Sequence, residues 1–147
     1  MQVVMNGERQ LYSKQSLKRK VENKPIKKVP KYNNKKVELD GYKFDSKLEA
    51  QYYTFLKHKK ATGRIKDFSL QPRYTLQETF KRDGKTYRSI TYIADFEVLH
   101  NNDSTQVIDV KGMMTDVFKI KAKLFTKLYG KLYLVKSSRA GFKLEEF

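Results

Sequence analysis

The amino-acid sequence predicts an α/β domain in which a mixed sheet is flanked by helices. Apolar residues recur at helical spacing in two segments, between Ser46 and Gly63 and between Thr115 and Tyr129. Segments rich in β-branched and aromatic residues lie between these helices and after the second one. The resulting order of helix, three strands, helix and strand is typical of helices packed on a single sheet.

Length and composition favour one folded domain. The chain has 147 residues, of which 39% are hydrophobic, and this is sufficient for one core. The absence of cysteine excludes disulfides and thiolate zinc sites, and 2 histidines argue against an imidazole-rich metal site. No apolar run is long enough to span a membrane, and the N-terminus has no hydrophobic leader. We therefore expect a cytoplasmic protein without membrane contact.

The net charge of +16 predicts a polyanionic partner, and nucleic acid is the first choice. Residues 1–37 hold 11 lysines and arginines against 2 acids, and residues 38–147 hold 21 against 14. We expect residues 1–37 to form a basic N-terminal arm, flexible or partly helical, ahead of a folded domain over 38–147. The arm either binds DNA phosphates or is a solvated tail that aids solubility. Its clustered basic residues are Lys18, Arg19, Lys20, Lys27 and Lys28.

The first helix begins with a capping-box pattern, in which Ser46 is followed three residues later by Glu49. Beyond it, the segment from Ile65 to Leu76 has strand composition, and Pro72 places Gln71-Pro72 at a strand start or on an edge. Asp83-Gly84 is a strong hairpin signal between two further strand-like runs. The tip of this hairpin either touches DNA or is an ordinary basic turn.

Two aspartates lie within predicted strands, where an isolated carboxylate is costly to bury. Asp95 belongs to the run 91–99 and Asp109 to the run 105–111, and the turn-rich residues 101–104 between them indicate adjacent antiparallel strands. Asp109 and Lys111 point to the same face, and Asp95 joins them if the strands pair in register. Two carboxylates beside a lysine suit a hard divalent cation that assists phosphodiester hydrolysis. The alternative is a strand ion pair on a solvated face.

The second helix runs from a cap at Thr115 or Asp116 to about Tyr129, before Gly130. Lysines spaced four apart form a cationic ridge along it, which either lies beside a phosphate backbone or is a solvated face. These lysines are Lys119, Lys123 and Lys127. Residues 131–135 are expected to form a last strand, and residues 136–147 a tail.

Asp95 followed by Asp109-Val110-Lys111 resembles the PD-(D/E)XK motif of the restriction-endonuclease-like nucleases, with Ala94 in place of the loosely kept proline. A wider set of segments resembles a phage-borne branch of that superfamily, whose relatives include Holliday junction resolvases and the TnsA-type transposase endonuclease. These segments are Phe44–Ala50, Leu70–Pro72, Tyr92–Phe96 and Asp109–Gly112. The resemblance covers roughly residues 38–147.

The resemblance implies a restriction-endonuclease-like core, αβββαβ, and a metal site for Mg²⁺ or Mn²⁺. It assigns Asp95 and Asp109 as ligands, helped by the Val110 carbonyl, and Lys111 to the attacking water. Glu49 would complete the metal shell, a role that competes with helix capping for the same carboxylate. Gln71 would bond a phosphate or a water, or it is a plain edge-strand glutamine.

The expected function is therefore that of a DNA endonuclease acting in a bacterial host cell. Without a visible base-reading motif, we expect recognition of DNA shape, with branched or duplex DNA as the substrate. Paired nicks at a junction require two active sites, which predicts a homodimer. The alternatives are a DNA-binding module without cleavage, a sequence-dependent nicking endonuclease, and a packaging protein that acts by charge alone.

Overall fold

The protein's structure, a computed structural model, describes residues 35–147, which lie within one compact unit, Asn34–Phe147. The predictions for the basic arm, including Lys18, Arg19, Lys20, Lys27 and Lys28, lie outside the described residues. In chain order, the elements are β1 (Val37–Leu39), β2 (Tyr42–Phe44), α1 (Lys47–Ala61), β3 (Asp67–Leu70), β4 (Arg73–Gln77), β5 (Phe80–Arg82), β6 (Lys85–Tyr87), β7 (Ile90–Ile93), β8 (Phe96–Leu99), β9 (Thr105–Val110), α2 (Asp116–Tyr129), β10 (Leu132–Ser138) and β11 (Gly141–Glu146).

A five-stranded mixed sheet forms the centre, with the spatial order β11-β10-β9-β8-β3. Strands β9 and β10 are parallel, and every other pair in this sheet is antiparallel. The parallel pair requires a crossover connection, and α2 provides it. The predicted α/β class, with a mixed sheet and two helices in the described residues, is confirmed.

Apolar side chains on the two faces of this sheet belong to two separate cores. Tyr52 and Leu56 of α1 pack in one core with Ile108. Phe118 and Phe125 of α2 belong to the other core. Alternation along β9 explains the separation, because successive side chains of a strand point to opposite faces. The two helices therefore cover opposite faces of the sheet.

Both helices begin at the predicted caps. The Ser46 side chain accepts the Glu49 N–H at 3.1 Å, and the Thr115 side chain accepts the Phe118 N–H at 3.1 Å. Helix α2 ends at Tyr129, where Gly130 takes a φ of +104° that other residues rarely adopt. Neither helix in residues 35–147 is long and apolar enough to cross a membrane.

Two segments that the sequence analysis treats as continuous strands are broken. The segment 65–76 divides at Gln71-Pro72 into β3 and β4, and the segment 91–99 divides after Ile93 into β7 and β8. Gln71 has a φ of +50°, and its N–H donates to the Asp95 carbonyl at 2.9 Å. Ala94 donates to the Pro72 carbonyl at 3.1 Å, so the two breaks support each other. Asp95 therefore lies at a junction between strands and not deep within one.

The C-terminal segment is also different from the prediction of a tail after residue 135. Strand β10 continues to Ser138, and β11 returns antiparallel to it along the sheet edge. Phe142 of β11 packs edge-on against Tyr52 with ring centroids 5.0 Å apart. The packing of this aromatic ring stabilises β11. The basic and acidic residues around Phe142 obscure the alternation of apolar and polar residues that would have predicted a strand.

Two hairpins lie outside the central sheet. The predicted turn at Asp83-Gly84 joins β5 and β6, with both turn residues at positive φ. An Asp40-Gly41 turn joins β1 and β2 in the same way, and the sequence analysis missed it despite the same dipeptide signal.

Candidate active site

The two predicted acids lie opposite each other where β8 begins and β9 ends. Phe96 pairs with Ile108 in the antiparallel register, so the next position places Asp95 across from Asp109. The Asp95 N–H donates to the Ile108 carbonyl at 3.2 Å. One carboxylate oxygen of Asp95, Oδ2, accepts the Val110 N–H at 2.7 Å. The chain thus anchors Asp95 to β9 through both its backbone and its side chain.

Asp109 is the one charged residue that is fully buried in the described residues, with an exposed fraction of 1%. Its Oδ2 accepts a hydrogen bond from the Tyr92 hydroxyl at 2.5 Å. Its Oδ1 lies 2.8 Å from the Lys111 Nζ, yet this ion pair lacks hydrogen-bond geometry, and no other donor in residues 35–147 reaches the oxygen. A buried carboxylate oxygen with only an ionic contact is costly in a purely structural role.

Lys111 lies just beyond the end of β9, on the same side as Asp109. Its Nζ is 4.5 Å from the centroid of the Phe118 ring, in the first turns of α2. The ammonium is therefore held between a carboxylate and an aromatic face, with 28% of its side chain exposed. This position leaves the lysine able to reach a solvent-borne ligand while it remains paired.

Glu49 caps the first turn of α1. Its Oε2 accepts the Asp45 N–H at 3.1 Å, and its Oε1 accepts the Ser46 hydroxyl at 3.2 Å. Burial raises the pKa of this carboxyl, and these two hydrogen bonds partly oppose the rise. The ammonium of Lys111 also lowers the pKa of Glu49, which brings the carboxylate within the electrostatic reach of the site. The capping contacts are present, and the role of Glu49 as a ligand stays a prediction.

Burial and repulsion from neighbouring carboxylates both raise the pKa of Asp95. Burial is the largest cause that raises its pKa to about 8, and the carboxylates of Asp109 and Glu49 raise it further. The Val110 N–H and the Lys111 ammonium lower the pKa of Asp95, but by less than burial and the two carboxylates raise it. Asp95 therefore keeps its proton up to about pH 8, and a cation bound beside these carboxyls would favour its ionisation.

A cavity of about 480 Å³ opens beside Glu49 and Asp95, while Asp109 and Lys111 are not among its lining residues. Glu49, Asp95 and Gln71 line it together with residues of the β1–β2 hairpin, among them Tyr42 and Lys43. Gln71 is exposed, and its left-handed backbone follows from the strand break described above. The structure thus brings Gln71 next to Asp95, as the resemblance implies, while its role toward a phosphate stays a prediction.

The donor set suits a hard divalent cation. Carboxylate oxygens are the ligands that Mg²⁺ and Mn²⁺ prefer, and Oδ1 of Asp109 lacks a hydrogen bond. In the described part of the chain, no three His, Cys, Asp or Glu side chains already converge as a metal cluster. The reason is visible in Glu49, whose two oxygens both serve the helix cap. Asp95 and Asp109 thus supply the type of donor that such an ion takes, and Glu49 would be free to join them only on leaving the cap.

The lysine ridge of α2 lies on an exposed face of the helix. Lys119 contacts Asp116 at 3.5 Å, and Lys123 and Lys127 are also on the solvent side. Large apolar residues, Ile120 and Leu128, are exposed among them at 61% and 53%. The structure thus places these lysines on the solvent side of α2, and their contact with phosphates stays a prediction.

Two residues that the sequence analysis did not single out support the site. Tyr92 lies in an aromatic and β-branched run, where its hydroxyl carries no sequence signal for a partner. Lys121 donates from Nζ to the Thr91 carbonyl at 2.9 Å and so ties α2 to the strand that carries Tyr92. Both partnerships join segments far apart in sequence, which periodicity does not reveal.

Comparison with known proteins gives a family but no activity. A family model described as "Protein of unknown function (DUF1064)" matches residues 29–145. The crystal structure of SSO0001 is similar, with a TM-score of 0.40 and 17% sequence identity, over 67% of this chain and 48% of that one. The chain thus spans about half the length of that structure. No curated protein matches the sequence.

Proposed function

The chain belongs to the DUF1064 family of proteins of unknown function, and we propose that it is a divalent-metal-dependent DNA endonuclease of the PD-(D/E)XK type. One observation carries the proposal: the buried Asp109, opposite Asp95 and 2.8 Å from Lys111, has an oxygen that accepts no hydrogen bond. The Lys111 ammonium alone compensates this oxygen, and a carboxylate oxygen that accepts no hydrogen bond keeps its lone pairs for a cation.

The order of elements supports the same proposal. In the central sheet the chain runs α1, β3, β8, β9, α2 and β10, which matches the αβββαβ order of a restriction-endonuclease-like core. The strands β4 to β7 are inserted between the first and second strands of that order, and β11 is added after the last. Asp109 lies on the third core strand and Asp95 immediately before the second, close to the positions that the nuclease motif leads us to expect.

The residues divide the work of hydrolysis among them. A bound Mg²⁺ or Mn²⁺ would supply Lewis acidity toward water and the phosphate. Asp95 and Asp109, with the Val110 carbonyl, would hold the ion, and Glu49 would complete the shell on leaving the cap. Lys111, already 2.8 Å from Asp109, would orient the attacking water or donate to a phosphate oxygen. Gln71 would bind the phosphate from the cavity side.

The net charge of +16 supports DNA as the substrate, and branched or duplex DNA suits a site without a base-reading motif. A homodimer would supply the two sites that paired nicks at a junction require. Exposed apolar residues of α2, with Val117 at 65% and Ile120 at 61%, offer a surface for a second copy. Light scattering measures the molar mass of the native chain and of Ile120→Lys, and a dimeric mass that falls to the monomer in the variant is expected.

Cleavage of DNA tests the proposed function. The purified protein is incubated with supercoiled, linear and four-way-junction DNA in Mg²⁺ or Mn²⁺. Nicking by the native chain and its loss in Asp109→Asn are expected, while Asp103→Asn, an exposed turn aspartate, serves as the control. If the protein binds DNA but cuts it with neither Mg²⁺ nor Mn²⁺, the proposed enzymatic activity is refuted and a DNA-binding module is the function that is left. A monomer that cuts linear duplex as readily as a junction would instead favour a sequence-dependent nicking endonuclease.

A further inference from the structure

The β5–β6 hairpin, residues 80–87, is a ribbon that belongs to none of the larger sheets. Its two strands pair with each other alone among the described strands, and all of their residues are exposed. An isolated two-stranded hairpin is marginally stable in water, so its side chains must compensate. The Phe80 and Tyr87 rings stack with centroids 4.7 Å apart and planes within 6°, and the Lys85 ammonium lies 5.2 Å from the Tyr87 ring.

The ribbon is cationic near its tip. Lys81, Arg82 and Lys85 accompany one acid, Asp83, whose carboxylate lies 4.0 Å from Arg82 Nε, and Arg88 follows directly after the ribbon. Arg82 and Lys85 pair directly across the turn, so two cations stand side by side. Elsewhere in residues 35–147, several lysines have close carboxylate partners, for example Lys66 with Asp103 at 2.6 Å and Lys136 with Glu145 at 2.7 Å. The ribbon cations thus stay available to a polyanion.

The ribbon is connected directly to the candidate active site. Strand β4 starts two residues after Gln71, and β7 ends two residues before Asp95. These strands pair with each other, and the ribbon continues from their far end. Ten residues from Arg73 to Arg82 span at most roughly 30 Å at about 3.3 Å per residue. That reach corresponds to roughly nine base pairs of duplex at about 3.4 Å each.

We propose that the β5–β6 ribbon enters the major groove of duplex DNA beside the bond that is cut. This inference rests on the proposed function, since it names the DNA that flanks the active site. The major groove is about 12 Å wide and 8.5 Å deep and admits a two-stranded β-ribbon. Three strand residues reach roughly 10 Å, which matches the groove depth. Paired arginine and lysine at the tip suit the phosphates that line the groove.

Binding measured without cleavage tests the ribbon. A fluorescein-labelled DNA duplex is titrated in EDTA by fluorescence anisotropy across a series of salt concentrations. The variant Lys81→Gln/Arg82→Gln/Lys85→Gln should bind more than tenfold more weakly. Its slope of log affinity against log salt should fall by roughly one to three, since each lost phosphate contact is worth about 0.9.

A variant of equal charge provides the control. Lys66→Gln/Lys131→Gln/Lys136→Gln removes three lysines that already pair with carboxylates, so it should change the affinity much less. Circular dichroism checks that both variants melt as the native chain does. Equal losses of affinity in the two variants would overturn the proposal, because net charge alone would then explain binding.

The groove is identified separately. Methyl green, a major-groove ligand, should displace the native protein from the duplex more effectively than it displaces the ribbon variant. Distamycin, a minor-groove ligand, should not displace the native protein. A-form duplex RNA has a narrow major groove, so the ribbon variant should bind it as well as the native chain does. Displacement by distamycin alone would refute the major-groove assignment.

Cleavage of supercoiled DNA in Mg²⁺ separates this inference from the proposed function. If the native chain cuts DNA and the ribbon variant binds DNA normally, the proposed role of the ribbon is refuted and the proposed nuclease function is retained. A native chain that never cuts, with binding lost in the ribbon variant, would refute the nuclease and retain the ribbon as a duplex-binding element.

Discussion

The Tyr92 hydroxyl donates to Oδ2 of Asp109 at 2.5 Å and so fixes the orientation of a buried carboxylate. Because this bond occupies one oxygen, the other oxygen, Oδ1, is turned toward Lys111. Burial, together with the charge of Asp109, raises the pKa of Tyr92, so the hydroxyl keeps its proton and stays a donor. A tyrosine in the core thus positions the group that would hold the metal.

Replacement of Tyr92 by phenylalanine should therefore weaken metal binding without unfolding the protein. The ring would keep its packing, while the lost bond to a charged group costs about 1.5–3 kcal/mol. The Mg²⁺ concentration for half-maximal cleavage should rise by roughly 10-fold, in the range seen for outer-shell partners. Tyr74→Phe is the matched control, since Tyr74 bonds Glu97 at 2.5 Å. An equal shift in both variants would contradict a positioning role for Tyr92.

Neutralising either central acid should abolish cleavage and spare binding. Asp95→Asn and Asp109→Asn remove a ligand, so the rate should fall by more than the roughly 10–100-fold cost of an outer-shell partner. DNA affinity should stay equal or increase, because less negative charge faces the phosphate. Cleavage and anisotropy assays measure the two effects. Native-rate cleavage by Asp95→Asn would place the site elsewhere.

Lys111→Ala should slow cleavage while it leaves metal affinity largely unchanged. The lysine contacts Asp109 but brings no ligand atom of its own to a cation. Single-turnover cleavage at saturating Mg²⁺ should therefore show the loss, and metal titration should not. Lys66→Ala, which removes an exposed lysine paired with Asp103, controls for the general loss of a cation. A rise in the metal requirement that accounts for the whole defect would instead make Lys111 a positioning residue.

The stability of the metal-free protein should fall as pH rises, in part because of Asp95. Below pH 3.8 the carboxyl is protonated in both the folded and unfolded states, and between 3.8 and about 8 it ionises mainly in the unfolded chain. The unfolded state then binds fewer protons, so the free energy of unfolding decreases through this range and is lowest above about 8. Asp95→Asn should raise the melting temperature in EDTA at pH 8.5 or above and not at pH 4. A rise of equal size at both pH values would contradict this origin.

Glu49→Gln separates capping from metal binding. Glutamine also suits the third position of a capping box, so the melting temperature should change little. Loss of the charge should nevertheless reduce cleavage and raise the Mg²⁺ requirement if the carboxylate joins the shell. Ser46→Ala provides the contrast, since it removes the cap at a cost of about 1 kcal/mol and should leave cleavage intact. An unstable Glu49→Gln whose folded fraction cuts normally would establish capping as the role.

Local chemistry made several features predictable from the sequence. Ser46 and Thr115 cap their helices because a side-chain oxygen satisfies a nearby N–H. Asp83-Gly84 forms its turn because both residues tolerate positive φ. The pairing of Asp95 with Asp109 follows from the period of two along neighbouring strands. Each of these depends on residues close in sequence or on adjacent strands.

Tertiary structure decided what those patterns left open. The strand breaks at Gln71 and Asp95 exist because each segment supplies the other's hydrogen bond. The Tyr92 bond to Asp109 and the position of Lys111 over Phe118 depend on strand junctions and on the packing of α2. Sequence alone therefore determined which side chains carry charge and the local elements that hold them. Contacts between distant segments decided which oxygen of Asp109 is left without a hydrogen bond, because burial and partner geometry arise only when those segments pack together.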